Sequence, residues 1–131
     1  MRYIKLFDSY NIDTLEDCLQ EIFDKYNIKK VIDESKIDRI KSDTAFLSTW
    51  TINNLTGMER IDPVLDCNDI YYCLTKENII ILGGSKDNTD IYQIFKEIFK
   101  EKNTIIKRLN NDISSSYESS RYQEKITISF L

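Results

Sequence analysis

The sequence of 131 residues contains no histidine. Histidine is the side chain whose ordinary pKa lies in the physiological range, and it acts as the base in Ser-His-Asp and Cys-His catalysis. It is also the usual nitrogen ligand of catalytic zinc and of haem iron. Its absence excludes those enzyme classes, including the histidine-dependent ribonucleases found among small toxins. Carboxylate, lysine, tyrosine and thiolate chemistry remain.

Cysteine, glycine and proline are scarce as well. The three cysteines, Cys18, Cys67 and Cys73, are odd in number and show no C-x-x-C spacing. The sequence therefore predicts neither a disulfide framework nor a zinc site. Three glycines and one proline argue against a fold built from loops or joined by long flexible linkers. We expect a single globular domain over residues 1–131.

Long apolar runs are also missing. No segment approaches the roughly 18 apolar residues of a membrane-spanning helix, and the opening MRYIKLFDSYN has no apolar stretch of signal-peptide length. We expect a cytoplasmic protein with no membrane contact. Isoleucine, asparagine and lysine are heavily used, whereas Ala45 is the only alanine. This bias is typical of an AT-rich bacterium or its phages and plasmids.

Basic charge is not concentrated anywhere along the chain. The net charge is −4, from 18 Lys and Arg against 22 Asp and Glu, and the densest basic cluster is Lys107-Arg108. Nucleic-acid binders usually carry a basic stripe, because phosphate neutralisation supplies much of their affinity. We therefore expect no nucleic-acid partner. An acidic surface would instead suit a partner protein with a basic surface.

Apolar periodicity predicts two main helices. Residues 13–26 begin with Asp13 and Glu16 in a capping-box-like arrangement and continue with apolar residues at helical spacing. Residues 88–101 follow the glycine pair Gly83-Gly84. Their predicted core-facing stripe consists of Ile91, Ile94, Phe95, Ile98 and Phe99.

Alternating and fully apolar segments predict the strands. IYYCL and IIIL, separated by TKEN, indicate a hairpin, and IIIL should be a central strand buried on both faces. Residues 28–43 fit either a short strand at IKKVI or a short helix at ESKIDRIK. Residues 54–69 indicate an irregular crossover, and residues 110–124 an ordered loop or hairpin. The other predicted strands are 2–7, 44–53, 104–109 and 125–130.

This order of elements predicts an α+β fold. The hairpin-like connections favour a mainly antiparallel sheet of about five or six strands, with the two main helices packed on one face.

Candidate carboxylate chemistry is weak. Asp62, Asp66 and Asp69 are spaced by four and three residues, which would place them on one helix face, but they match no magnesium-loop signature. Acids before a strand are more often turn and capping residues. The segment DESK (Asp33 to Lys36) contains the E-x-K half of a nuclease-like site without a firm strand around it. We predict no catalytic residue, no metal and no cofactor.

The stretch GGSKDNTD between IIIL and the second helix suggests a phosphate loop. It matches neither the Walker pattern nor the dinucleotide-binding pattern. Moreover, Asp87 and Asp90 occupy the helix start, where a phosphate would bind. We interpret it as a tight corner followed by a capped helix, at which Ser85, Lys86, Asp87 and Tyr92 could contact another protein.

These exclusions favour a small acidic protein-binding domain, an inhibitor, immunity-type or anti-defence protein that blocks a partner. Acidic and aromatic residues are the predicted contacts, since tyrosine is enriched at binding hot spots. Two alternatives stay open. One is a small carboxylate- or metal-dependent enzyme or nucleotide-binding domain, and the other is a homo-oligomeric component of a phage or mobile element. The predicted partner-binding residues are Asp62, Asp66, Asp69, Tyr72, Lys86, Asp87 and Tyr92.

Overall fold

The computed structural model describes residues 12–41, 69–84, 90–119 and 123–131. These ranges contain four helical segments and a five-stranded sheet. The strands predicted at 2–7 and 44–53, and the crossover up to residue 68, lie outside the described residues.

The first predicted helix is confirmed. Residues 12–18 (α1) and Gln20–Lys25 (α2) are helical, and a turn at Leu19 separates them. The helix is followed by Asn27, whose φ of 54° lies in the left-handed region, where asparagine is tolerated better than most residues. The apolar positions that predicted the helix are buried: Leu15, Leu19, Ile22 and Phe23.

The ambiguous segment after it contains both predicted elements. Lys29–Lys30 form a short strand (β1), and Glu34–Lys41 form a helix (α3) with Ile40 fully buried. Asp33 caps α3, because its Oδ1 accepts hydrogen bonds from the Ser35 backbone N–H (2.9 Å) and hydroxyl (2.7 Å). These bonds lower the pKa of Asp33. Helix capping therefore explains Asp33, and Glu34, the acid of the E-x-K pattern, is the first residue of α3 and does not lie on a strand.

The predicted hairpin is also confirmed. It consists of Ile70–Leu74 (β2) and Asn78–Gly84 (β3), which pair antiparallel from Ile70 opposite Gly83 to Leu74 opposite Ile79. Thr75 closes the turn. Its backbone N–H donates to the Asn78 carbonyl at 2.9 Å, and its hydroxyl oxygen accepts from the Asn78 N–H at 3.0 Å.

The second main helix, Asp90–Leu109 (α4), is longer than expected. The strand predicted at 104–109 is wrong, since these residues are helical. The β-branched residues of TII favour a strand locally, but Ile105 and Leu109 are buried with Ile98 and extend one stripe along the helix. Phe99 is also a correction, because it is 65% exposed. Among the helices that the structure describes, none combines the length and apolar character of a membrane span.

The polar segment after α4 forms a hairpin with the last strand. Ile113–Ser119 (β4) pairs antiparallel with Gln123–Phe130 (β5), from Ile113 opposite Phe130 to Ser119 opposite Glu124. The predicted final strand is thus confirmed and begins two residues earlier than expected. Its pairing with β4 resolves the choice between a loop and a hairpin.

The sheet has the strand order β1-β2-β3-β5-β4. β1 is parallel to β2, and the other neighbours are antiparallel. The α+β class and the mainly antiparallel sheet are therefore as predicted. β3 lies in the middle, and it is buried on both faces because Ile79 and Ile81 belong to one hydrophobic cluster and Ile80 and Leu82 to another.

The two clusters lie on opposite faces of the sheet, because successive residues of a strand point to opposite faces. The larger cluster joins apolar residues of α1, α2 and α4 to alternate residues of β2, β3 and β5. The smaller cluster adds Val31 and Ile40 to the other face of β2 and β3. The sequence predicted that the two main helices pack on one face, and it assigned no face to α3, which contributes Ile40 to the other.

Candidate functional site

The residues predicted to bind a partner do not form one surface among the described residues. Asp62, Asp66, Lys86 and Asp87 lie outside the described ranges. Asp69, Tyr72 and Tyr92 are described, and the structure places them in three different environments.

Tyr72 is a correction, because it is 5% exposed and so cannot contribute to an accessible contact surface. Its side chain points to the helix-covered face of the sheet, where its ring stacks on Phe23 with centroids 3.9 Å apart. Its hydroxyl donates to Glu16 Oε2 at 2.7 Å, and Lys30 Nζ lies 2.9 Å from the same oxygen. Burial and then this carboxylate raise the pKa of Tyr72.

Asp69 lies at the β1 side of the sheet. Its Oδ2 accepts from Lys29 Nζ at 3.1 Å and from the Tyr71 hydroxyl at 3.4 Å. These bonds connect the start of β2 to β1. Tyr92 contacts Tyr117 of β4, at the opposite edge. The structure therefore does not bring Asp69 and Tyr92 together.

An aromatic group surrounds Tyr92. Its ring meets Tyr117 edge-on with centroids 5.5 Å apart, and the Phe95 ring lies 5.6 Å from Tyr117. Lys96 Nζ lies 5.1 Å from the Tyr92 centroid, within the range of a cation–π contact. Tyr92 is 47% exposed, so this group lies partly in contact with solvent.

Tyr117 of this group contacts a buried carboxylate that sequence reasoning did not identify. Glu124 is 7% exposed and accepts a hydrogen bond from the Tyr117 hydroxyl. It lies opposite Gly83 in the sheet. Burial, followed by this hydrogen bond, raises the pKa of Tyr117. The sequence did contain a signal for this burial. Glu124, Ile126 and Ile128 are spaced by two residues, and alternate residues of a strand lie on the same face.

The two flanks of α4 differ in chemistry. On one flank Glu97 forms an ion pair with Lys25 of α2, beside a groove of about 420 Å³ between the helices. Since residues advance about 100° each around a helix, the opposite flank carries apolar residues on the side of Tyr117. We call these residues the aromatic flank: Tyr92, Phe95, Phe99 and Ile106.

The groove between the helices is lined by charges of both signs, including Asp17, Lys100 and Arg108. It also contains Cys18, whose pKa is raised mainly by burial. Burial likewise raises the pKa of Cys73 to about 11. Both shifts keep these thiols protonated and so weaken them as nucleophiles. No group of three potential metal ligands occurs in the described ranges.

The outer edge of β4, beside the aromatic flank, carries backbone groups that do not bond to β5, although Ile113 at its start is fully buried. The Leu131 N–H donates to the Asp112 carbonyl at 3.0 Å, so this opposite pair is hydrogen-bonded, and such pairs recur at every second residue. Residues 114, 116 and 118 therefore bond to β5. By the same alternation, residues 113, 115, 117 and 119 direct their N–H and C=O groups outward. Within the described part of the chain, no strand pairs with this edge.

The two edges of the sheet are unlike. β1 is two residues long and both are lysines, whereas β4 is seven residues long and Glu118 is its only charge. Short, lysine-bearing edges resist pairing with other chains, and long edges with few charges allow it. The aromatic flank and the outer edge of β4 together form what we call the edge surface.

Comparison with protein-family models, with curated proteins and with solved structures finds no match for this chain.

Proposed function

We propose that the chain is a protein-binding domain and that the edge surface is its contact face. The observation that carries the proposal is the exposure of two aromatic side chains beside a strand edge with which no strand of the described ranges pairs. Phe99 is 65% exposed and Tyr92 47% exposed on the flank of α4 next to β4. Aromatic residues that are exposed together are typical of protein contacts, because burying them on binding releases apolar surface from water.

The chemistry of the edge surface supports binding. Its tyrosines combine apolar rings with hydroxyl groups, and the Tyr117 hydroxyl is held by Glu124. A fixed ring loses little conformational entropy when a partner covers it. The edge strand adds backbone donors and acceptors that an incoming segment can use.

Charge and composition support a particular class of binding protein. We place the chain among cytoplasmic inhibitor, immunity-type or anti-defence proteins, which act by occupying a partner. The exposed face of α1 and α2 carries acids at helical spacing. It lies on the other side of α4 from the edge surface, so with the net charge of −4 these acids would steer a partner that has a basic surface rather than contact it. These acids are Asp13, Asp17, Glu21 and Asp24.

The test uses paired variants in an affinity purification from the native host. The tagged chain is compared with Tyr92→Ala/Phe99→Ala, and bound proteins are quantified by mass spectrometry. The control is Ile32→Ala, because Ile32 is 77% exposed and lies outside the edge surface. We expect the double variant to lose at least about tenfold of a specific partner, as hot-spot truncation does, and the control to retain it. Equal recovery by all three proteins would reject the edge surface as the contact.

A homo-oligomeric component is the second candidate, and the outer edge of β4 is the observation that favours it. A strand edge can pair with an identical edge as readily as with a foreign segment.

A further inference from the structure

We infer that the aromatic flank binds an acidic segment of the partner protein, one in which an apolar residue stands between aspartate or glutamate residues. This inference rests on the proposed function and adds the chemistry of the segment that contacts the edge surface. The observation behind it is a set of lysines that surround the exposed aromatic residues of α4 and form no ion pair with any of the described residues. These lysines are Lys96, Lys102 and Lys107.

The charged residues of α4 are sorted around the helix axis. Because residues advance about 100° each, Lys96 and Lys102 lie about 60° to either side of Phe99. Glu97 and Glu101 lie about 160° from Phe99, beside the groove that faces α1 and α2. Among its described residues, the side of α4 that carries the aromatic flank therefore has only positive charge.

The lysines that do form ion pairs in the described ranges belong to other elements. They are Lys25 of α2 and Lys29 and Lys30 of β1, and a carboxylate of the same chain balances each of them. Lys96 instead lies over the Tyr92 ring, with its Nζ 5.1 Å from the ring centroid. This contact leaves its charge without an anion to balance it, and a carboxylate of another chain can supply that anion.

The exposed ring between the lysines explains why the segment needs an apolar residue as well. Phe99 is 65% exposed, so an apolar side chain of the partner that covers it removes both groups from water. Lys96 and Lys102 are about 9 Å apart along the helix axis. Acids directly before and after the apolar residue therefore lie within reach of the two long lysine side chains.

The net charge of the chain favours a short acidic segment over a long polyanion. At −4, the whole molecule repels nucleic acid and anionic membranes, and Arg108, the arginine of α4, lies on the groove side. A short acidic segment contacts the lysines alone. The rest of the partner can still carry the basic surface that the acids of α1 and α2 attract.

The test is a titration with a synthetic peptide, followed by NMR. The probe is the acetylated and amidated pentapeptide DEFDE, and its neutral counterpart is NQFNQ. We expect DEFDE to shift the amide signals of Lys96, Phe99 and Lys102 until they saturate. Addition of about 0.5 M NaCl should weaken this binding, because salt screens exposed charges. NQFNQ should give no saturable shift.

Matched charge variants locate the binding site. Lys96→Gln/Lys102→Gln should raise the dissociation constant of DEFDE about three- to tenfold, since each substitution removes one exposed ion pair. The control Lys41→Gln/Lys76→Gln removes the same charge from α3 and from the turn between β2 and β3, and it should leave the constant unchanged. Phe99→Ala should also weaken binding, which distinguishes this site from a purely ionic one.

Several outcomes of the titration would overturn the inference. These are the absence of saturable shifts with DEFDE, equal binding of DEFDE and NQFNQ, and an equal loss of binding in the two lysine variants. Tighter binding of single-stranded DNA or of phosphatidylglycerol vesicles at the same lysines would also overturn it, because the face would then serve a polyanion.

The failures of the two proposals are distinguishable in the affinity purification. A host partner that is lost with Tyr92→Ala/Phe99→Ala but recovered with the variant of Lys96 and Lys102 retains the proposed function and rejects the acidic segment. A chain that binds DEFDE at these lysines, and recovers the same host proteins with either double variant, retains the acidic-segment site and rejects the edge surface as the contact with the host partner.

Discussion

Tyr72 shows how one buried hydroxyl connects three elements. It donates to Glu16 of α1, and Lys30 of β1 binds the same carboxylate oxygen. Burial makes the ionised phenolate costly, and the nearby carboxylate adds repulsion, so both raise the pKa of Tyr72 above its ordinary value of 10.0. The folded state therefore holds this proton more tightly than the unfolded state.

The pKa of Tyr72 predicts an alkaline loss of stability. Where only the unfolded chain releases the proton, the free energy of unfolding falls as pH rises, and the effect begins near the ordinary value of about 10. Tyr72→Phe removes this titration. We expect its free energy of unfolding to fall less steeply above that pH than that of the parent chain, as measured by urea unfolding at a series of pH values. Parallel curves would show that Tyr72 titrates alike in both states.

Glu124 and Tyr117 form another polar contact, in which the carboxylate is buried and the tyrosine is partly buried. Tyr117→Phe leaves the carboxylate of Glu124, which is 7% exposed, without its donor. We expect a cost of about 1–3 kcal/mol, the usual penalty for a buried group that loses its partner. Chemical unfolding measures this loss.

A double-mutant cycle separates that contact from simple packing. Replacing both partners, as in Tyr117→Phe/Glu124→Met, removes the unpaired carboxylate and should cost less than the sum of the two single variants. Additive losses would mean that the hydrogen bond contributes no coupling.

At the scale of elements, packing against the core along the whole length of α4 determines that these residues are helical. Twenty residues form this helix, and its last turns contain a β-branched pair that favours a strand. Ile105 and Leu109 are four residues apart and both buried, whereas Ile106 lies on the aromatic flank and is half-buried. Burial that recurs after four residues and is weaker in the adjacent residue is typical of one face of a helix.

Neighbouring isoleucines of α4 provide a matched test. Ile105→Ala should destabilise the protein by about 2–5 kcal/mol, because it leaves a cavity in the core. Ile106→Ala should cost clearly less, since its side chain is partly solvated. Thermal or chemical unfolding of both variants checks this difference, and equal losses would contradict the helical stripe.

At the scale of the whole molecule, β3 should be the most stable part of the sheet. It is bonded on both sides, and its residues Ile79 to Leu82 are buried on both faces. We expect its amides to exchange with deuterium most slowly, whereas the outward amides of Ser115 and Tyr117 exchange rapidly in dilute solution. Hydrogen exchange followed by NMR gives these rates. Slow exchange of those two amides in the monomer would show that the edge is covered within one chain.

Sequence patterns predicted an element correctly where its apolar residues followed a single helical or strand-like spacing and those same residues are buried. Residues 13–26 and IIIL were assigned correctly, because apolar spacing alone distinguishes a core-facing helix from a strand buried on both sides. The patterns misassigned residues 104–109, where local β propensity competes with a helix stabilised by distant strands. The patterns also failed to predict that Phe99 is exposed. Its spacing from the other apolar residues of α4 fits the core-facing stripe, but it lies at the edge of that stripe.

By itself, the sequence determined the class of fold, the central strand and the absence of histidine chemistry, because these depend on composition and on local periodicity. Only the tertiary structure decided which strands are neighbours, and therefore which edge is long and weakly charged. It also decided that Tyr72 is buried and Glu124 lies beneath Tyr117, because contacts between distant residues depend on the register of the sheet. The candidate surface is defined by that register.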